Sequence, residues 1–313
     1  MMTMHRLALA ALAAVAAAAP AAAQGTCDIE TRRPTQLAVA MAAIARHDAL
    51  ADHDERLKLT RQLLRGLTTN PERIKNEAGR NYLLGQVYVR WFKDAAPRIA
   101  LRAKRGELGF SENPDGEFFL PTALDEVMGI VEREKPACTD STSRYRNAVF
   151  LDVLNAAINF NNARAYDSAI VYANHALLVN ARSPQVGTAY QVISNASQAK
   201  GDLAGAISAL EMVIEKMGTD AATASSRANA TFKLAVFTRD LAMKQSGEAR
   251  SRGLRRAADL FKQYLDLAPN GESASQARAA YTRSLQDAGD TASVAGIHAA
   301  MIANPGAYTA IQL

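Results

Sequence analysis

The chain has 313 residues, 49% of them apolar and 21% charged, the balance of a globular protein with one or two cores. A formal net charge of +5 is too small to point to nucleic acid as the partner. Aromatic residues are only 6% and Ala is over-represented, which favours close-packed helices over sheets, because Ala has the strongest helix propensity and little strand preference.

Residues 1–23 read as a secretory signal peptide. Arg6 precedes an unbroken run of Leu, Ala and Val from Leu7 to Ala19. Pro20 breaks the run, and Ala21 to Ala23 offer small residues for cleavage. The alternative is an uncleaved anchor or an amphipathic N-terminal helix, although the run is short for a bilayer. Gln24 stands three positions before Cys27, where lipidation of that Cys would need a branched apolar residue. No later segment is apolar enough to cross a membrane. Removing Arg6 from the 36 Lys and Arg leaves 35 against 31 acids, a mature charge of +4. The expected location is therefore outside the cytoplasm: periplasmic, with secretion as the other option.

Helical periodicity begins at Pro34–Ala49, with Leu37, Met41 and Ile44 apolar and a start at Thr31 or Pro34. Asp54–Leu67 follows, carrying Leu57, Leu59, Leu63, Leu64 and Leu67, and Thr69-Asn70-Pro71 ends it. Ile74–Phe92 places Leu84, Val87, Tyr88 and Trp91 on one stripe. Asn113-Pro114-Asp115-Gly116 is turn chemistry, and its flanks Leu108-Gly109-Phe110 and Phe118-Phe119-Leu120 are expected to pair as a short hairpin. The same stretch has some calcium-loop residues from Ser111, but Thr122 occupies the twelfth position, where a bidentate Glu is needed. Pro121–Lys135 reads as a helix stopped by Pro136-Ala137-Cys138. The polar run Asp140-Ser141-Thr142-Ser143 then marks the boundary between an N-terminal helical domain (24–143) and a second domain (144–313).

Charge is unevenly placed. Asp54–Arg105 holds 13 Lys and Arg against 5 acids, and Glu107–Asp140 holds 9 acids against Arg133 and Lys135. Either the two segments neutralise each other or the first is an anion-binding surface. The 2 cysteines, Cys27 and Cys138, are expected to form a disulfide in an exported chain. No Cys-x-x-Cys exists to suggest redox or metal chemistry.

From Arg144 onward the chain repeats itself. Phe150–Leu177 gives helix, turn (Ala163-Arg164-Ala165) and helix. Gly187–Ile214 gives the same around Lys200-Gly201-Asp202, at an offset of 37 residues. Ala228–Thr238 with Leu254–Leu265 is a third copy, its helices separated by the basic insertion Lys244–Arg252 and closed by Pro269-Asn270. Ser273–Leu285, Gly289-Asp290 and Val294–Ile302 form a fourth, ended by Pro305.

The first copy carries Val153, Ala156-Ala157, Phe160, Tyr166, Ala169, Ala173 and Ala176-Leu177. The second carries Tyr190, Ile193-Ser194, Ser197, Gly201-Asp202-Leu203, Ala206, Leu210 and Val213-Ile214. The third ends Ala257, Phe261, Tyr264-Leu265, Pro269. Upstream, Asn81-x-x-Leu84-Gly85-x-x-Tyr88 has the form of a first helix whose partner the hairpin displaces. This pattern resembles the tetratricopeptide repeat family, whose unit is an antiparallel helix pair of about 34 residues. Here Ala157 replaces the family's Gly, Ala173 its second-helix aromatic, and Pro184 holds the displaced closing Pro.

The resemblance implies an all-α, TPR-like helical-repeat solenoid with an N-terminal helical domain and a short hairpin insertion. It implies a non-catalytic protein-binding scaffold of the bacterial envelope, with no cofactor or metal. Its partner-binding face would be lined by the first helices: Leu151, Leu154, Ile158 and Asn161; Gln191, Asn195 and Gln198; Phe232, Val236 and Arg239. Apolar pockets would anchor an extended peptide or helix, and amides would bond its backbone. Leu151, Leu154 and Ile158 have a second reading, as contacts to the N-terminal domain. The family's clamp for a C-terminal carboxylate uses Lys and Asn where Leu154 and Ile158 stand, so that ligand is not implied. The other functional class is a binding module for an anionic glycan or envelope polymer, through Arg56–Arg105 or Lys244–Arg256.

Catalysis is not expected. Asp167, Ser168 and His175 lie along one helix and do not converge, no Gly-x-Ser-x-Gly exists, and His175 takes an outward repeat position. His47-Asp48 and His53-Asp54 place two imidazoles six apart, where a helical metal pair needs four.

Overall fold

The computed structural model describes residues 36–95, 100–218 and 223–303, together with Cys27, Ile29 and Asp220. The expected signal peptide, Gln24, the helix start at Thr31 or Pro34 and the stop at Pro305 lie outside the described residues. The protein is all-α, with twelve α-helices among the described residues. The first four are α1 (Gln36–Ala49), α2 (His53–Thr68), α3 (Glu77–Asp94) and α4 (Leu120–Glu134). Next come α5 (Thr139–Asn162), α6 (Tyr166–Val179), α7 (Val186–Ala199) and α8 (Leu203–Met217). The last are α9 (Ala224–Met243), α10 (Gly247–Leu267), α11 (Ala274–Asp287) and α12 (Thr291–Ala303). No helix among the described residues is long and apolar enough to cross a membrane.

Each helix packs chiefly on its chain neighbours, most extensively α5 on α6, α7 on α8 and α9 on α10. Contacts to the helix after next join α1 to α3, α3 to α5, α4 to α6 and α5 to α7. The core follows this path as a series of clusters. One runs from Leu37 to Ala196, a second from Ala206 to Phe237, and a third from Ala228 to Ala277. Tyr190 touches both the first and the second, and Val236 and Leu260 both the second and the third.

Small residues set the spacing within the pairs. Ala157 on α5 and Ala169, Ala173 and Ala176 on α6 are fully buried. Methyl groups at these positions let the backbones approach closely, and the larger Val153, Phe150 and Val179 are buried on the same two helices. Gly85 does the same for α3. A Cβ there would fall 2.1 Å from Met128 Cε on α4, so α4 is the displaced partner of α3.

The turns repeat as well. After α5, Ala163 N–H bonds to Asn159 O and Ala165 N–H reaches back to Phe160 O, with Arg164 left-handed (φ 62°). After α7, Lys200 bonds to Ala196 O and Asp202 to Ser197 O around Gly201 (φ 81°). After α11, Ala288 bonds to Ser284 O and Asp290 to Leu285 O around Gly289 (φ 77°). Each turn closes its first helix with a left-handed residue. At the second and fourth copies the following Asp then caps the next helix, Asp202 accepting from Gly205 N at 2.9 Å and Asp290 from Ser293 N at 3.1 Å.

Three expectations need correction. The strand partner of Phe118 and Phe119 is not Leu108–Phe110. β1 (Arg102–Lys104) pairs antiparallel with β2 (Glu117–Phe119), in the register Arg102 to Phe119. Residues 105–108 turn helically, and Gly109, at φ 92°, sits so close to α2 that a Cβ would lie 2.8 Å from Arg61 O. The polar run at 140–143 is not a break. It is the first turn of α5, with Asp140 favourably placed near the helix N-terminus and Thr142 Oγ1 donating to Glu132 at 2.8 Å. The 143/144 boundary therefore falls inside a helix. The basic insertion is also largely helical, because α9 runs up to it at Met243 and α10 begins inside it at Gly247, leaving only residues 244–246 between them.

The Cys27 and Cys138 sulfurs are at disulfide distance, with Cα atoms 4.5 Å apart across a sequence separation of 111. Mass mapping without reduction should join the two cysteine peptides. Replacing both by Ser should lower stability by about 2–5 kcal/mol; two free thiols would contradict the link. In denaturant melts, Ala173→Leu should cost about 1–3 kcal/mol through overpacking. Ala replacing the exposed neighbour Asn174 should stay within about 0.5 kcal/mol, and equal effects at the two positions would refute the close crossing.

Candidate binding surface

The predicted first-helix residues divide into two sets. Leu154 is 3% exposed and belongs to the first core cluster, with Leu151 and Ile158 packed against it. Leu154 is therefore core and cannot line an open groove, whereas Leu151 and Ile158 stay partly exposed. Phe232 is packed with Phe261 and Tyr264, at centroid distances of 5.9 and 5.2 Å. Val236 lies partly buried between the second and third clusters. The polar members are more open. Gln191 donates to Asn195 Oδ1 at 3.0 Å, one turn on, and Gln198 is exposed. Asn161 is half-buried, with its Oδ1 shielded and without a partner.

Arg239 borders a cleft of ≈ 600 Å³ between α9, α11 and α12. Arg278, Arg283 and His298 join it there, with Gln276, Gln286, Ser275 and Thr282 beside them. The α11 members recur at helical spacing, as 275, 279, 282, 286 and 276, 280, 283, which makes them one wide stripe. Ala279 and Ala280 form its low centre. The buried side of α11 is Ala274, Ala277, Ser284 and Leu285. Sequence reasoning missed this stripe because it sought apolar anchors, whereas the cleft is polar.

Part of the basic segment 54–105 is engaged. Arg56 Nε donates to Asp94 Oδ1 at 2.8 Å, and His47 Nε2 lies 2.7 Å from Asp94 Oδ2. Arg90 grips both oxygens of Asp48 at 2.8 and 2.6 Å, and Asp48 also faces His47 Nδ1 at 3.2 Å. This network fastens α1, α2 and α3 together. The Arg90 guanidinium holds the Asp48 carboxyl below its ordinary range, against the upward push of burial and with help from His47. His53 is exposed at the start of α2, so the two imidazoles serve different surroundings. Arg102 pairs with Glu117 at 2.7 Å, an ion pair between the basic and acidic segments. A second network centres on buried Arg146, which bonds Asp125 at 2.7 Å, Glu132 at 3.1 Å and Val179 O at 3.2 Å, tying α4, α5 and α6.

His175 is not on a freely solvated face. Phe119 of the hairpin lies against it at 5.0 Å and Tyr172 of its own helix at 5.9 Å between ring centroids. Asp167 instead pairs with Lys200 of the next helix pair. The acid, hydroxyl and imidazole of this helix do not meet. Among the described residues, no group of three or more His, Cys, Asp and Glu is placed to hold a metal. A second cleft, of ≈ 590 Å³, lies between α1 and α2 and is mainly apolar, lined by Val39, Ala40, Ala43, Leu59, Leu63 and Leu67 among others.

No protein-family model matches this sequence, and no curated protein matches it.

Burial, and secondarily the Arg102 guanidinium, push the His175 imidazole below its ordinary range. The unfolded chain then binds this proton more tightly than the folded one, so His175 favours unfolding as pH falls below about 6.5. An NMR titration should place His175 below about 6.5, and Phe119→Ala should raise its midpoint more than Arg102→Ala does. A midpoint at or above the ordinary value would show that the hairpin does not lie against the ring.

Proposed function

We propose that this chain is an exported, non-catalytic scaffold of the tetratricopeptide-repeat type, working in the bacterial periplasm. It binds a protein partner along the face made by the first helices of its hairpins. The observation that carries this reading is the recurring unit. The same reverse hydrogen bond around a left-handed residue closes α5, α7 and α11, and each helix pair packs on its chain neighbours. A chain built this way has no single enclosing core, so it offers a long side surface, which suits extended partners. Export is supported by the N-terminal sequence pattern and by cysteines at disulfide distance.

The glycan reading has less support at the segments first considered for it. Arg56, Arg90 and Arg102 have carboxylate partners, as do Arg252 with Glu248 and Arg256 with Glu211. Cations already neutralised attract polyanions weakly.

Leu154 cannot test the surface, because a charge there would disrupt the core. A photo-crosslinking side chain at Asn195, on a first helix, is informative, with exposed Asn174 on a second helix as control. In intact envelopes the first position should capture one discrete protein, resistant to added salt, and the second should not. Equal capture at both positions, or capture at Asn174 alone, would remove the first-helix face from the account.

A further inference from the structure

We infer that the cleft between α9, α11 and α12 seats the side-chain carboxylates of an acidic peptide segment. Arg239, Arg278, Arg283 and His298 line it, and among the described residues no Asp or Glu does. Most arginines noted above have a carboxylate within reach, and those of this cleft are far less committed. Arg283 has no hydrogen bond or ion pair with any described residue. Arg239 reaches Asp287 through a single long contact of 3.4 Å, and its Nε, shielded from solvent, has no partner. Arg278 donates to Pro269 O at 2.6 Å, which steadies its guanidinium without neutralising it. Like charges gathered in a concave surface focus the field and draw in anions. Guanidinium forks match carboxylates in shape as well as charge.

The neutral lining selects among anions. Gln276, Gln286, Ser275 and Thr282 offer both donors and acceptors, as a peptide backbone requires. Ala279 and Ala280 keep the floor low between them, so a main chain can lie close to α11. Among the described residues no Trp, Tyr or Phe borders the cleft, so they offer no flat apolar platform on which a sugar ring would rest. A volume of ≈ 600 Å³ accommodates a few residues rather than a folded domain. This assignment rests on the proposal that the partner lies along the first-helix face, since α9 and α11 are the first helices of the last two pairs. It differs in place and chemistry from a terminal-carboxylate clamp at Leu154 and Ile158.

The test uses the full chain and fluorescence anisotropy of labelled hexaglutamate, with labelled hexaglutamine as the uncharged probe. Hexaglutamate should bind at low salt and weaken as salt is added, and hexaglutamine should not bind. Arg283→Glu should weaken hexaglutamate by about tenfold or more, and the milder Arg239→Gln by a smaller factor. Arg255→Glu, the same charge change on the exposed surface of α10, should change it less than about twofold. Equal losses for Arg283→Glu and Arg255→Glu would reduce the effect to net charge and overturn the seat. A galacturonate oligomer that displaces hexaglutamate at equal or lower concentration would assign the cleft to an anionic polysaccharide and overturn the peptide. Hexaglutamate binding lost in Arg283→Glu, alongside absent capture at Asn195, would keep the seat and remove the scaffold reading. Capture at Asn195 without Arg283-dependent hexaglutamate binding would remove the seat alone.

Discussion

Two helices joined by a three-residue turn can lie in full contact only where little stands between them. Ala157, Ala169, Ala173 and Ala176 meet that condition for α5 and α6; Gly85 against Met128 gives the same close approach to α3 and α4, although the hairpin and not a short turn joins them. The turns after α5, α7 and α11 then reverse the chain within three residues, with a left-handed backbone at the centre of each. Gly201 and Gly289 adopt this without cost; Arg164 does so against the preference of an L side chain. Close approach and tight reversal together make each pair a unit with too little core of its own. Stacking on the neighbouring pair supplies the remainder, and the linked clusters from Leu37 through Ala277 record that dependence.

The same constraint explains what was legible in sequence. Small-residue spacing, Gly-Asp turns and apolar stripes are local, and they yielded the helix pairs from α5 onward, although α5 begins at Thr139 and α10 at Gly247, well before the expected Phe150 and Leu254. The hairpin register was not legible, because it depends on Gly109 lying against Arg61 O, a contact between distant segments. Polar composition at 140–143 and 244–252 suggested breaks, yet both stretches are largely helical. Asp140 suits a helix start, and Glu248 with Arg252 supports a helix one turn apart.

The candidate surface was legible in outline only. Repeat position places Arg239 and the Gln191–Asn195 pair on first helices, but it carries no information about burial. Leu154 occupies such a position and is core, because α5 runs back along the N-terminal helices. Surface charge misled in a similar way. The arginine-rich segment 54–105 is conspicuous in sequence, but its Arg56, Arg90 and Arg102 meet Asp94, Asp48 and Glu117 once the chain folds. The less committed cations lie on α9 and α11, where Arg239, Arg278 and Arg283 are scattered among Ala and Gln.

The central claim is that the chain is held together pair by pair, through contacts between neighbours. Native-state hydrogen exchange on the protein and on its Ala173→Leu variant tests this most directly. The account predicts that protection falls in α5, α6 and the adjoining α7 and is retained in α10 and α11. A uniform loss of protection along the whole chain would contradict it.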